Sequence, residues 1–191
     1  MQDIQWLEAL QSRWNAGERP EFVFFWGHQR QGPGVSASCL SQWYDVGFDV
    51  DGRHYPTAEH FMMAQKAALF GDAAIAAQIV GANTPAEVKA LGRQVRGFDK
   101  ARWEQQRFDI VVRGNLAKFS QNADLRAFFA WHRRAGAGGS QPGGCHLGIG
   151  LAADAVAAHD PGRWQGLNLL GFALMAVRAR LADTNLPASG I

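Results

Sequence analysis

The chain has 191 residues, 47% of them hydrophobic, and 19 Lys and Arg against 17 Asp and Glu leave a formal charge of +2. That length predicts a single domain spanning 1–191, with enough apolar side chains for a core of its own. So small a charge argues against a protein that holds nucleic acid by neutralising phosphates over a broad face, and it leaves room for a small anionic ligand.

In chain order, Ile4, Leu7, Leu10 and Trp14 recur at helical spacing and predict a helix that ends in N-A-G-E-R-P. F-V-F-F-W then reads as a buried strand, and residues 31–37 as a glycine-containing loop. Y-D-V-G-F-D-V-D-G-R-H-Y alternates about Asp51-Gly52, the dipeptide that favours a tight hairpin. From Pro56 the pattern turns helical, with Gly71 as a stop, Asp72 as the next cap, and Thr84, Pro85 and Glu87 as a capping box. Residues 99–118 and 123–133 predict further helices, the second capped by Asn122, and an amphipathic helix closes the chain after a turn at D-P-G-R. Helices outnumber strands and do not alternate with them, so the fold class is α+β, a mainly helical domain with a small β-sheet.

Chemistry-bearing patterns are few. Cys39 and Cys145 lack metal-type spacing, and the six histidines include no pair four residues apart, so the expectation is reduced thiols, no metal and no cofactor. The N-terminal residues show no basic region followed by an apolar run, and no stretch reaches about 18 apolar residues, which predicts a cytoplasmic protein without a membrane span. No phosphate loop, nucleophile elbow or dinucleotide fingerprint is present. In P-T-A-E-H-F-M-M-A-Q-K, Glu59, Met62 and Lys66 share a helix face. Spacing alone favours an exposed first-turn acid for Glu59, stabilised by the helix dipole; the functional alternative is a carboxylate in a cleft. Arg93, Arg96, Lys100, Arg102 and Arg107 surround Trp103, ordinarily a solvated helix face and less often a grip for phosphate with an indole beside it.

The motifs F-F-W-G-H, C-L-S-Q-W-Y, Y-P-T-A-E-H-F-M-M-A-Q-K-A, L-G-R-Q-V-R-G-F-D, G-N-L-A-K-F-S-Q-N, G-I-G-L and W-Q-G-L-N-L-L-G-F-A-L-M resemble those of the YbiA-like family, also called NADAR, in the family's order along nearly the whole chain. The resemblance implies a YbiA-like α+β fold and an N-glycosidase. Members of the family hydrolyse phosphoribosylamino intermediates of riboflavin biosynthesis, and others remove ADP-ribose from guanine. It places Glu59 at the family's T-A-E-H glutamate as the catalytic carboxylate. It also implies phosphate-binding cations at Lys66, Arg93 or Lys118, and an indole from Trp103 or Trp43 against the base. The family's aspartate in D-x-x-W-G-I-G-L falls at Gly144, its tryptophan at Leu147, and the glutamate of V-E-A-S-P at Gly139.

That departure lies in a glycine-rich segment, residues 135–147, whose length matches the family while its residues do not. Reading the codons for Trp131 to Leu147 one base late, with one permitted codon choice, yields G-T-G-E-R-V-L-V-E-A-S-P-V-D-A-I-W, the family pattern. The expectation is a compensated frameshift, with an extra base near Ala130 and a missing base near Leu147, in the gene or in its reported sequence; the alternative is ordinary divergence into a glycine-rich loop. As written, Gly136, Gly138, Gly139, Gly143 and Gly144 raise the entropy cost of ordering the segment and predict a mobile or misplaced loop.

The leading functional expectation is cleavage of the bond between ribose 5-phosphate and the pyrimidine-type base of early riboflavin-biosynthesis intermediates. Its partner is a small phosphoribosylated substrate, with no membrane and no obligatory protein partner. Two readings stand beside it: release of ADP-ribose from guanine in nucleic acid, and a non-catalytic ADP-ribose or nucleotide-binding module, which the missing acid at Gly144 favours.

Overall fold

A computed structural model of the chain describes residues 2–30, 32–131, 136–139, 147–152 and 154–183. The first helix, α1 (Gln2–Asn15), is followed by β1 (Phe22–Phe25) and, after a 3₁₀ turn at Ala37–Leu40, by the hairpin strands β2 (Phe48–Val50) and β3 (Arg53–Tyr55). The turn between them has positive φ at both Asp51 (52°) and Gly52 (74°), the backbone that Asp-Gly predicts for a two-residue hairpin.

The helical body comprises α2 (Ala58–Leu69), α3 (Ala73–Gly81), α4 (Pro85–Gly92), α5 (Lys100–Gln121) and α6 (Ala123–Trp131). Local chemistry fixes its boundaries. Thr57, Asp72, Thr84 and Asp99 each accept a hydrogen bond from the backbone N–H three residues on, at the starts of α2, α3, α4 and α5. Gly71 stops α2 at φ 72°, as expected. The capping box of α4 is displaced by one residue, because Glu87 accepts from Asn83 N–H rather than from Thr84. Asn122 joins two helices: its side-chain amide turns back to the carbonyls of Lys118 and Gly47, closing α5, while its own carbonyl accepts from Arg126 N–H at the start of α6.

Helix α5 is the central post, packing against α2 on one flank and against α7 (Leu169–Asp183) on another. Its approach to α2 depends on Gly114, where an added Cβ would lie 2.6 Å from Cδ1 of Phe61. The closing helix forms where expected, exposed on one side only in its second half. Every residue from Leu169 to Leu174 is buried, because α7 also lies against β4 (Gly136–Gly139). The strand β4 pairs in parallel with β1, from Phe22 opposite Gly136 to Phe25 opposite Gly139. A strand rather than a loop thus occupies the start of the glycine-rich segment, in residues of low strand propensity. Gly143, Gly144 and Cys145 lie outside the described residues.

Candidate active site

Glu59 stands in the first turn of α2. Thr57 caps that helix, accepting from His60 N–H, and its hydroxyl also meets His60 Nδ1 at 2.8 Å. The other ring nitrogen of His60 lies 3.1 Å from the carbonyl of Ala82, a carbonyl being able only to accept. Nε2 is therefore the protonated nitrogen and Nδ1 takes the hydroxyl proton. Burial lowers the pKa of this ring, keeping it neutral as a structural pin between α2 and the end of α3. The backbone N–H of Glu59, which the helix cannot satisfy, donates to the carbonyl of Gln42 at 3.0 Å. That bond ties α2 to the turn Ser41–Tyr44, which carries Trp43.

The Glu59 side chain is not the exposed first-turn acid that spacing favours; the residue is only 3% exposed. Burial pushes its carboxyl up to about 7 against two opposing influences, the charge of Lys89 on α4 and a hydrogen bond from the Trp43 side chain. An indole has one donor and no acceptor, so Trp43 donates. The Lys89 ammonium lies 5.7 Å from the centre of the Trp43 ring, and the His28 imidazole 5.6 Å from it. Glu59, Trp43, His28 and Lys89 form one cluster drawn from α2, the Ser41–Tyr44 turn, the segment after β1, and α4. A carboxyl titrating near neutrality can both give and take a proton, the property required of a general acid–base group.

The remaining predicted residues are placed elsewhere. Lys66 is seven residues beyond Glu59, roughly 10 Å along the helix axis. Its Nζ donates to the carbonyl of Gly92 at 2.7 Å and lies 4.4 Å from the Phe98 ring and 5.8 Å from the Trp103 ring. Lys66 and Trp103 thus meet each other in an aromatic cage at the C-terminus of α4, where a cation is favoured by the helix dipole. Arg93 caps that same helix end and is exposed. Lys118 is fully buried, and its Nζ donates to the carbonyls of Cys39 at 2.7 Å and Ser41 at 2.8 Å. Burial brings its ammonium down to about 7. Its geometry makes it the internal support of the turn that presents Trp43, not a grip for phosphate. Of the basic set around Trp103, Arg96 pairs with Asp72 and Arg107 is buried, so that face is not simply solvated.

Three residues assigned no role from sequence adjoin the cluster. Lys89 carried no signal, being a single lysine on an exposed helix face. Gln42 and Asn115 stand inside C-L-S-Q-W-Y and G-N-L-A-K-F, where only their neighbours drew attention. Asn115 Nδ2 donates to the Val111 carbonyl at 2.8 Å and to Gln42 Oε1 at 2.9 Å, while Gln42 Nε2 reaches only the Met62 thioether at 3.7 Å. Among the described residues, Asn115 Oδ1 is the buried side-chain polar atom without a partner. Such an orphan costs about 1–3 kcal/mol. Separately, Arg30 lies 5.4 Å from the centre of the Tyr44 ring and borders a cleft of about 470 Å³ shared with Asp124 on α6.

No three His, Cys, Asp or Glu among the described residues converge as metal ligands, and no helix among them is long and apolar enough to cross a membrane. The chain is 37% identical over 166 residues to N-glycosidase R617 of Acanthamoeba polyphaga mimivirus, covering 84% of this chain and 96% of the relative. It is 29% identical over 133 residues to N-glycosidase YbiA of Escherichia coli strain K12, covering 70% and 74%. The NMR structure of E. coli YbiA superposes with a TM-score of 0.71 at 25% identity, over 91% of this chain and 92% of that one. Residues 24–182, which include every residue of the Glu59 cluster, match the NADAR domain, and the chain belongs to that family.

Proposed function

We propose that this chain, an N-glycosyl hydrolase like the relatives it matches, cuts the bond between ribose 5-phosphate and the pyrimidine-type base of early riboflavin-biosynthesis intermediates. The observation that carries the reading is Glu59: a buried carboxyl raised to about 7, held by the Trp43 indole and within the field of Lys89. Near neutral pH the protonated acid is well populated. It gives its proton to the glycosidic nitrogen as the C1–N bond breaks, so the base leaves as a neutral amine. The carboxylate so formed faces the oxocarbenium-like C1, stabilises its charge, and takes a proton from the water whose oxygen bonds to C1. The products are free base and ribose 5-phosphate, and Glu59 is protonated again.

One carboxyl performing both transfers suits a chain with Gly144 where the family has an aspartate. Lys89, rather than the expected Lys66 or Lys118, meets the phosphate, since those two already donate to backbone carbonyls. The near-complete burial of Glu59 favours a small substrate over a base within nucleic acid. The test is incubation with 5-amino-6-(5-phosphoribosylamino)uracil, following free base and ribose 5-phosphate. Turnover that Glu59→Gln abolishes supports the reading. Turnover of an ADP-ribosylated guanine oligonucleotide but not of the aminouracil overturns the substrate. Binding without turnover, indifferent to Glu59→Gln, overturns the mechanism.

A further inference from the structure

The side-chain amides of Gln42 and Asn115 are both buried and incompletely satisfied, next to the turn that carries Trp43. Their orientation is dictated from one end. The Val111 carbonyl can only accept, so Asn115 must turn Nδ2 toward it, and the same Nδ2 meets Gln42. Gln42 must therefore present Oε1, which leaves its own Nε2 against a thioether and Asn115 Oδ1 with no partner. A pair retained only for stability is better served by apolar side chains of the same shape, because a half-satisfied buried network is worse than an apolar core. What this arrangement does achieve is a fixed position for the Gln42 main chain, whose carbonyl receives the Glu59 N–H.

We infer that Asn115 and Gln42 are positioning residues for Glu59, a relay that runs from the Val111 carbonyl on α5 through two amides to the first turn of α2 and sets the register of Glu59 against Trp43. The inference rests on the proposed role of Glu59. It predicts that breaking either amide loosens the carboxyl without unfolding the protein, and that the two amides act as one unit.

The test uses the full chain with Asn115→Leu, Gln42→Met and the double variant. Each substitution keeps approximate volume, and Gln42→Met retains the backbone carbonyl that Glu59 uses. The titration of Glu59 is followed by carboxyl ¹³C NMR, its resonance assigned by loss in Glu59→Gln, and turnover is followed on 5-amino-6-(5-phosphoribosylamino)uracil. Neither variant alters Lys89 from α4, His60 from α2, Lys118 from α5 or His28 after β1, so the charged and titratable surroundings are constant. The expected result is a Glu59 midpoint that falls toward the ordinary carboxylate range as the side chain gains solvent. With it, kcat falls about tenfold while KM changes by less than about twofold, the pattern of lost positioning rather than lost binding. The double variant should be no worse than the more severe single one. Thermal melting identifies folded variants, and if Asn115→Leu does not fold, Gln42→Met carries the same reading. Unchanged midpoint and kcat in the folded variants, or effects that add in the double variant, overturn the relay. Full activity of Glu59→Gln would instead sink the proposed role of Glu59, which the NMR titration distinguishes because it needs no substrate.

Discussion

Trp43 donates its indole N–H to the carboxyl of Glu59 from a turn that is itself bonded to the Glu59 backbone through Gln42. The bond favours the ionised carboxylate, so Trp43→Phe removes a donor and raises the Glu59 midpoint. With protonated Glu59 as the active form, kcat/KM in the parent chain is full below about 7 and declines above it. In Trp43→Phe that decline moves to higher pH. A pH–rate profile checks the direction, and an alkaline limb that stays in place refutes the contact's role.

Lys89 has two separable effects on one substrate. Its charge lowers the Glu59 midpoint, and in the proposed reading it meets the 5′-phosphate. Lys89→Met should raise KM for the phosphorylated aminouracil about tenfold, as expected for loss of a charge-assisted contact. The dephosphorylated nucleoside should show almost no change in KM. Equal losses on both substrates would remove Lys89 from the phosphate site.

Glu59 also lowers stability in a defined pH window. Its folded midpoint of about 7 lies above the ordinary carboxyl value of 4.5, so below the latter the group costs nothing. As pH rises from there to about 7 the unfolded chain releases the proton while the folded chain retains it, and the native state is progressively disfavoured. The full effect is at most about 3 kcal/mol. Glu59→Gln should therefore raise the melting temperature at pH 8 and leave it nearly unchanged at pH 4, as read by calorimetry.

Gly114 permits the contact between α5 and α2. Phe61, which a Cβ there would strike, is wedged against Tyr55 and Phe48 at ring-centroid distances of 5.2 and 6.2 Å and has no free direction. Gly114→Ala should destabilise by about 1–3 kcal/mol, the usual cost of overpacking. It should also lower kcat, because the displaced helix carries Glu59. Denaturant unfolding and turnover measure the two effects separately.

The glycine-rich segment offers the largest single gain. The frame shifted by one base places V-L-V-E across the residues of β4, which pair with β1 and lie against α7. Replacing Trp131 to Leu147 with G-T-G-E-R-V-L-V-E-A-S-P-V-D-A-I-W supplies β-branched side chains and an acid at position 144. Both melting temperature and turnover should rise, and turnover should rise more than with Gly144→Asp alone. Equal rescue by the two would show that ordering the strand contributes little to catalysis.

The boundaries of the helices were legible in the sequence because they are set by neighbours: Asp72 and Thr84 cap within three residues, and Asp51-Gly52 turns within two. The motif singles out Glu59 as a candidate, but its burial is not legible there, since that depends on a turn and a helix distant in sequence. The cations show the limit most directly. Lys66 and Lys118 are lysines in characteristic motifs whose ammonium groups are committed to carbonyls, whereas Lys89 influences Glu59 only because α4 packs on α2. The strand β4 was illegible from propensity, as glycine has no side chain to mark a face.

Because β1 and β4 are separated in sequence by α2 to α6, their parallel pairing bears on the order of folding. The contacts among α2, α3 and α4 are local and need little loop closure, so this body can form early. Joining β1 to β4 requires closing a loop that contains all of it, and glycine adds backbone entropy to that step. The site draws Glu59 from the early body and His28 from the segment following β1, so the ring beside Trp43 arrives with the last association. Full assembly of the site therefore coincides with completion of the fold.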